Sequence, residues 1–227
     1  WWEGMQYAEV QILLYGKNIA QYRVESDLPI TNVLKTENPN YLFVTIDTKG
    51  KKAGNYSLSL LQKNKKVANV AYELKHRREG SALRKGFDSS DVIYLLMSDR
   101  FANGNPNNNS HLALTDKLNR EASDGRHGGD IQGIIDHLDY IQSVGATAIW
   151  HTPLCEDNEP QHSYHTYAQT DVYKIDPRYG TNEEYIQLSK ALHKRGMKLI
   201  KDYVTNHWGS QHWMVKDLPC YDWLHQF

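Results

Sequence analysis

Hydrophobic and polar positions alternate with a period of two through much of the first third of the chain. Val10, Ile12 and Leu14 form one such run, and Tyr41 to Ile46 is rich in β-branched and aromatic residues. Tyr56, Leu58 and Leu60 alternate again, and Val70, Tyr72 and Leu74 close the set. Asn38-Pro39-Asn40 and Ala53-Gly54-Asn55 supply turn residues between the runs. Several short strands at this spacing, with no helical period among them, predict a β-sandwich over residues 1–86. The stretch from Arg77 to Ser90 is charged and Gly-bearing, which predicts a linker.

The pattern then changes. Val92 to Met97 is a short apolar run, as expected of a buried parallel strand. From Gly133 to Val144 the apolar residues Ile134, Leu138 and Ile141 share one helical face, and Gly145 follows as a C′ residue. Ala146 to Trp150 predicts a second buried strand. Thr181-Asn182-Glu183-Glu184 has the form of a capping box, with Tyr185, Leu188 and Leu192 continuing the helical face to a stop at Gly196. Met197 to Val204 predicts a third strand. Strand, helix, strand, helix, strand is α/β organisation with a parallel sheet, assigned to residues 87–227. Periodicity leaves both a doubly wound sheet and a barrel open. No glycine-rich phosphate loop follows any of the strands, which argues against nucleotide binding.

Composition narrows the function classes. Lys plus Arg number 26 and Asp plus Glu 27, so the net charge of -1 leaves no electrostatic footprint for nucleic acid. No apolar run approaches the roughly 20 residues that span a bilayer. The chain opens on Trp1-Trp2 with neither Met nor a signal-like segment, from which a trimmed natural N-terminus is expected. The 15 Tyr and 6 Trp suit carbohydrate contact, although aromatic rings also fill ordinary cores. Cys155 and Cys220 lack zinc-site companions and are expected to be free thiols.

Asp202-Tyr203-Val204-Thr205-Asn206-His207 ends the third predicted strand. Polar groups at the C-terminal end of a parallel strand point into the site of an α/β enzyme. The same three polar residues could instead satisfy loop backbone, and the string alone leaves both readings open. His151, His162, His165, His207 and His212 invite a metal-cluster reading, but their spacing fits no standard zinc pattern.

The string is similar to the D-x-V-x-N-H region that closes the third barrel strand in the α-amylase superfamily of glycoside hydrolases (family 13). The resemblance implies that His207 hydrogen-bonds the glucose unit in subsite −1, that Asn206 supports a nearby loop or metal region, and that Asp202 orients a catalytic-site arginine further along. Tyr164-His165-Thr166-Tyr167 followed by Asp171-Val172-Tyr173-Lys174-Ile175-Asp176-Pro177 resembles the Y-H-G-Y and D-x-Y-x-I-D-P segments of the same family. By that match Tyr167 stacks on the −1 sugar and His165 donates to its hydroxyl. A pyranose offers an apolar C–H face and a rim of hydroxyls, which a flat ring and an imidazole grip together. Thr166 stands where glycine is commoner, which changes local backbone freedom.

Asp99-Arg100-Phe101-Ala102-Asn103-Gly104-Asn105-Pro106, with Gly128-Gly129-Asp130-Ile131-Gln132-Gly133 and His137-Leu138-Asp139-Tyr140, resembles the cyclomaltodextrinase and neopullulanase branch. In that branch the loop carries calcium, and its ligands would map to Asn103, Asn105, Asn108, Asn109, the carbonyl of Gly128, and Asp130. Positions 105 and 109 are often Asp in relatives and are Asn here. Calcium affinity follows the number of charged oxygen ligands, so a weak site is expected. An amide-rich turn knitted by its own hydrogen bonds is the alternative.

The resemblance implies a multidomain β plus α/β protein: an Ig-like β-sandwich followed by the first three strands of a TIM (β/α)8 barrel. It implies retaining hydrolysis of α-1,4-glucosidic bonds in cyclomaltodextrins, pullulan or maltodextrins, with a transglycosylating or branching member, or a non-catalytic maltodextrin-binding protein, as alternatives. Retention needs two carboxyl groups about 5–5.5 Å apart. In the family these follow strands four and five, with a third Asp after strand seven, and no acid before Phe227 matches those positions. The chain alone is therefore expected to be inactive. The branch also implies a homodimer through the N-terminal domain. Trp1-Trp2-Glu3-Gly4-Met5 and Thr152-Pro153-Leu154 resemble starch-utilisation enzymes of Bacteroidetes-type bacteria, implying a periplasmic or secreted location.

Overall fold

The computed structural model describes residues 1–225 and contains two compact units. The first comprises Trp1–Gly86 together with the segment from Asp217 on, and the second comprises Phe87–Lys216.

The first unit is built from β1 (Glu9–Tyr15), β2 (Arg23–Ser26), β3 (Ile30–Lys35), β4 (Tyr41–Asp47), β5 (Gly54–Gln62) and β6 (Lys65–Leu74). They form two antiparallel three-stranded sheets, β1-β4-β3 and β2-β5-β6. The two central strands supply Leu42, Val44 and Ile46 from one sheet and Leu58 and Leu60 from the other to a common core. This is the predicted sandwich, with β2 and β3 added, whose mixed polar sequences carry too little alternation to announce themselves. The turn expected at Ala53-Gly54-Asn55 lies earlier. Gly50 takes φ +69° and the Lys51 N–H donates to the Thr48 carbonyl at 3.0 Å, while Gly54 and Asn55 already pair with Leu74 and Glu73.

The end of the described chain packs on this unit. The Asp217 carboxylate accepts from the hydroxyl of Tyr15 at 2.8 Å and from the Asn40 amide at 2.9 Å. Asn38 donates its amide to the Leu218 carbonyl at 2.9 Å and its N–H to that of Pro219 at 3.1 Å. The Trp223 ring lies 6.0 Å from that of Phe43. The α/β assignment over residues 87–227 places this segment in the second half; Tyr15 of β1, with Asn38 and Asn40 in the turn before β4, holds it on the first.

In the second unit β7 (Ile93–Leu96), β8 (Ala148–His151) and β11 (Lys198–Lys201) form a parallel sheet in the order β11-β8-β7. A short helix α1 (Ser98–Phe101) follows β7; α2 (Ile131–Asp136) and α3 (Leu138–Ser143) lead to β8. An antiparallel pair, β9 (Cys155–Glu156) and β10 (Asp171–Ile175), precedes α4 (Asn182–Lys194), and α5 (Trp213–Lys216) closes the unit. The capping box forms as predicted, Thr181 and Glu184 each bonding the other's backbone N–H. Gly145 and Gly196 take the left-handed conformation of helix-ending residues, at φ +86° and +71°. The single helix expected over 133–144 is instead two, divided at His137, whose ring Nδ1 lies 2.8 Å from the Gly133 carbonyl.

Ile131, Ile134, Leu138 and Ile141, with Leu188 and Leu192 of α4, bury Leu96 and Ile149 on one face of the sheet. The opposite face is open: Leu95 is 64% and Trp150 41% exposed, and the two are paired across β7 and β8. Strands read as buried on both sides are thus covered on one. Both cysteines are free thiols, Cys155 buried and Cys220 half-buried. No helix among the described residues is long and apolar enough to cross a membrane.

Candidate functional site

The loops that leave the C-terminal ends of β7, β8 and β11 carry the residues singled out in the sequence, as expected for polar groups at that edge of a parallel sheet. Asp202 immediately follows β11. Its Oδ2 accepts from the Tyr167 hydroxyl at 3.0 Å and from the Trp150 indole N–H at 3.2 Å. The Tyr167 ring is 37% exposed, and burial together with the Asp202 bond raises its phenol above the ordinary range.

His165 and His207 both converge on Tyr167. The Tyr167 N–H donates to His165 Nδ1 at 3.1 Å, and the two rings are 5.6 Å apart. That acceptor role fixes the neutral tautomer with its proton on Nε2. Partial burial, reinforced by His162, lowers the His165 pKa and keeps the ring neutral. His207 Nε2 lies 3.2 Å from the Tyr167 carbonyl and must donate to it, leaving Nδ1 as an acceptor. One tyrosine is therefore held at its N–H, carbonyl and hydroxyl by three residues from the predicted set. Asn206, exposed on the same loop, lies outside this cluster.

The loop is shaped from beneath. Thr166 is buried in the left-handed conformation at φ +54°, rare for a β-branched residue, and its hydroxyl donates to the Pro153 carbonyl. Arg178 is fully buried; it forks onto Asp176 at 2.6 and 2.9 Å and donates to the carbonyls of Asp116 and Asp157. Burial opposes ionisation of Asp176, but the Arg178 and Arg126 guanidiniums hold its pKa below the usual range. Asp157, also fully buried, accepts from the N–H groups of Glu159 and Ala168. Burial pushes its pKa up to about 7, the Glu159 N–H works against this, and Asp176 adds to it. Arg126 donates to the Ser163 carbonyl at 2.9 Å and lies over the Tyr179 ring at 4.7 Å. Arg100 covers the Tyr164 ring at 4.2 Å. Sequence reading missed Trp150, Asp157 and these arginines. Buried charges separated by tens of residues leave no local period, and only the density of Asp and Arg in the loops hinted at them.

The amide-rich loop is also assembled. Asn103 donates to Asn109 Oδ1 at 2.8 Å. Gly128, at φ +86°, sits so close to the pair that a Cβ there would lie 2.5 Å from Asn109 Oδ1. Asn105 accepts from the Asn107 N–H, and Asn108 Oδ1 is buried without a partner. Asp130 is fully buried; its Oδ1 accepts from Gly104 and Gly133 and its Oδ2 from Asn105. Asp99 performs the matching task, accepting from His127 and Gly128. At Gly129 a Cβ would lie 2.1 Å from the Ser98 carbonyl, so the backbone-to-backbone approach demands glycine there.

Comparisons with known proteins match both halves of the chain to family profiles. Residues 95–220 match the family profile of the α-amylase catalytic domain, and residues 1–78 match that of the cyclomaltodextrinase N-terminal domain. Neopullulanase 2 of Thermoactinomyces vulgaris is 31% identical over 184 residues, covering 81% of this chain and 31% of its own. The β/α-amylase of Paenibacillus polymyxa is 40% identical over 124 residues, 54% of this chain and 10% of its own. The crystal structure of an Anoxybacillus α-amylase superposes with a TM-score of 0.55 at 42% identity, covering 60% of this chain and 28% of that one. The chain thus spans between about a tenth and a third of the length of the curated relatives it matches.

Proposed function

Because the chain belongs to the α-amylase family of glycoside hydrolases, with a cyclomaltodextrinase-type N-terminal domain, we propose that it holds the glucose grip of an enzyme that hydrolyses α-1,4-glucosidic bonds in cyclomaltodextrins, pullulan or maltodextrins. The observation that carries this reading is the convergence of His165, His207 and Asp202 on Tyr167. The exposed tyrosine face receives the apolar side of a glucose unit. His165 Nε2–H donates to a hydroxyl and His207 Nδ1 accepts from another, so the two imidazoles read opposite ends of a hydroxyl rim. Asp202, by taking the Tyr167 and Trp150 protons in hydrogen bonds, sets the ring's tilt and acts as a positioning residue.

Retention of configuration calls for a nucleophile and an acid/base on opposite sides of the scissile bond. In this reading they come from strands that follow Phe227, and those strands cover the open face carrying Leu95 and Trp150 to close a barrel. The 227-residue chain by itself then binds glucan without turning it over. Neopullulanase 2 and the maltogenic α-amylase of Bacillus acidopullulyticus, 37% identical over 118 residues, support this substrate class.

The loop donors fit calcium held mainly by neutral oxygens. Asn108 Oδ1 is an orphaned acceptor, Asn103 and Asn109 pack against Gly128, and Asp130 contributes the one carboxylate. With a single charged ligand the affinity falls in the weak range, on the order of 0.1–1 mM. Calcium at about 10 mM should then raise the unfolding free energy by roughly 1.5–3 kcal/mol, and Asn108→Ala should remove the gain.

The test of function is a reducing-sugar assay of the full-length enzyme on β-cyclodextrin, pullulan and starch, with Tyr167→Ala beside it. Cleavage of at least one, weakened at least tenfold by the substitution, is expected. If none of the three is cleaved, the reading is lost.

A further inference from the structure

The two imidazoles of the grip hang from different loops. His165 and Tyr167 lie between β9 and β10, and His207 lies beyond β11. Which hydroxyls the pair can reach together depends on how far apart the loops are held. His207 meets the other loop through its ring Nε2, at the Tyr167 carbonyl. One imidazole hydrogen bond leaves a loop free to pivot, so the spacing is set further along the chain.

Glu159, which the grip itself does not use, reaches from the first loop to the second. Its Oε2 accepts from the Ser210 hydroxyl at 2.9 Å and its Oε1 from the Gln211 N–H at 2.8 Å. A half-buried carboxylate bonded at both oxygens fixes direction as well as distance, and such bonds are stronger than those between neutral groups. Gly209 completes the contact. Its N–H donates to the Gln169 carbonyl at 2.8 Å. A Cβ at this position would lie 2.4 Å from the Ala168 carbonyl oxygen and 2.7 Å from Glu159 Oε1. The two backbones therefore touch where no side chain fits.

The near end of this brace is equally fixed. The Glu159 N–H donates to Asp157 Oδ1 at 3.0 Å, and the Ala168 N–H to Asp157 Oδ2 at 3.3 Å. Glu159 and the residue after Tyr167 thus hang from one buried carboxyl. A shift of Ser210 and Gln211 relative to Glu159 becomes a shift of His207 relative to Tyr167. We propose that Glu159 is a positioning residue: by holding Ser210 and Gln211 it sets the distance between His207 and the Tyr167–His165 pair. That distance decides the geometry in which a glucose unit is gripped. Both carboxylate oxygens are engaged in these bonds, so the effect of Glu159 on a sugar passes through His207. The inference rests on the function proposed above for the grip.

The experiment is steady-state kinetics of the full-length enzyme on whichever of β-cyclodextrin, pullulan and starch it cleaves fastest, below the unfolding midpoint of every variant. Glu159→Ala should lower kcat/KM by about five- to fiftyfold, since an ångström of misplacement can cost about a hundredfold. Glu159→Gln keeps an acceptor for the Gln211 N–H and should return to within about threefold of wild type. Ser210→Ala removes one donor and should lower kcat/KM by about two- to fivefold, which keeps the test open if Glu159→Ala fails to fold. The His207→Ala background separates positioning from bulk stability. There Glu159→Ala should cost less than about a further twofold, and a loss as large as in the wild type would show that Glu159 does not act through His207. Wild-type kinetics in Glu159→Ala and Ser210→Ala, beside an impaired Tyr167→Ala, would overturn the brace and leave the proposed function intact. If no substrate is cleaved, the proposed function falls instead and hydrogen exchange reads the brace. Protection of the Gly209 N–H should then drop about fivefold or more in Glu159→Ala, and unchanged protection would remove the brace as well.

Discussion

The hydroxyl of Tyr167 donates to the Asp202 carboxylate at 3.0 Å, tying the loop between β9 and β10 to the end of β11. Trp150 shares the same oxygen, so one acceptor orders one ring from a loop and one from a strand. Asp202→Ala should lower the urea midpoint by the equivalent of about 0.5–1.5 kcal/mol, because the donors it strands can reach water. In the full-length enzyme it should raise KM for short maltodextrins. Asp202→Asn, which keeps an acceptor, should recover most of both effects; equal losses in the two variants would mean that charge, not ring positioning, is the role of Asp202.

Asp217 is held by Tyr15 and Asn40, and these bonds lower its pKa below the usual carboxylate range, Asn40 first and Tyr15 second. A lowered carboxylate pKa gives stability that is fully present above the unfolded value and lost as pH falls through the folded one. Hydrogen exchange at the Asn38 amide, which donates to the Pro219 carbonyl, reports this contact. The protection factor of the Asn38 backbone N–H should fall in Asp217→Ala at pH 7, and in the wild type only once the pH drops below about 3.8. An unchanged protection factor in the variant would show that the Phe43–Trp223 contact holds the segment without the carboxylate.

Thr166 combines an unfavourable backbone with a buried hydroxyl bond to Pro153. Left-handed φ costs an L-residue about 1–2 kcal/mol, and a buried hydrogen bond returns about 1 kcal/mol. Thr166→Val keeps the strain and loses the bond, so it should destabilise by about 1–3 kcal/mol. Thr166→Gly loses the bond but also the strain and should come within about 1 kcal/mol of wild type. Chemical denaturation of the three proteins tests the ranking.

Asp157 is buried with a pKa near 7, above its value in an unfolded chain. The folded state therefore holds the extra proton between about pH 4 and 7, and stability falls as pH rises through that window. Subtracting the unfolding free energy of Asp157→Asn from that of wild type at each pH should give a curve that declines by a few kcal/mol from pH 4 to pH 7 and is flat above about pH 8. A flat difference throughout would mean that the carboxyl is ionised in the fold across the range.

The periodic elements were legible in the sequence: the alternating runs of β1, β4, β5 and β6, the Thr181–Glu184 box, and the glycines that end helices. So were the residues gathered at Tyr167, because short strings of Tyr, His and Asp carry a family pattern. Hydrophobic periodicity and capping depend on neighbours three or four residues away, which a linear reading sees. Three things only the tertiary structure decided. The segment from Asp217 leaves the α/β unit because Tyr15, Asn38 and Asn40, far away in sequence, offer a polar cradle. The floor of the loop between β9 and β10 is the buried Arg178–Asp176 ion pair, with Arg178 also donating to the Asp157 carbonyl; the two charges are tolerable in a dry interior only as partners of one another. The backbone of Trp1 to Glu3, which the sequence offered merely as a string, is fixed by its bonds to Lys75. Long-range electrostatic pairing and burial have no sequence period, and these features rest on both.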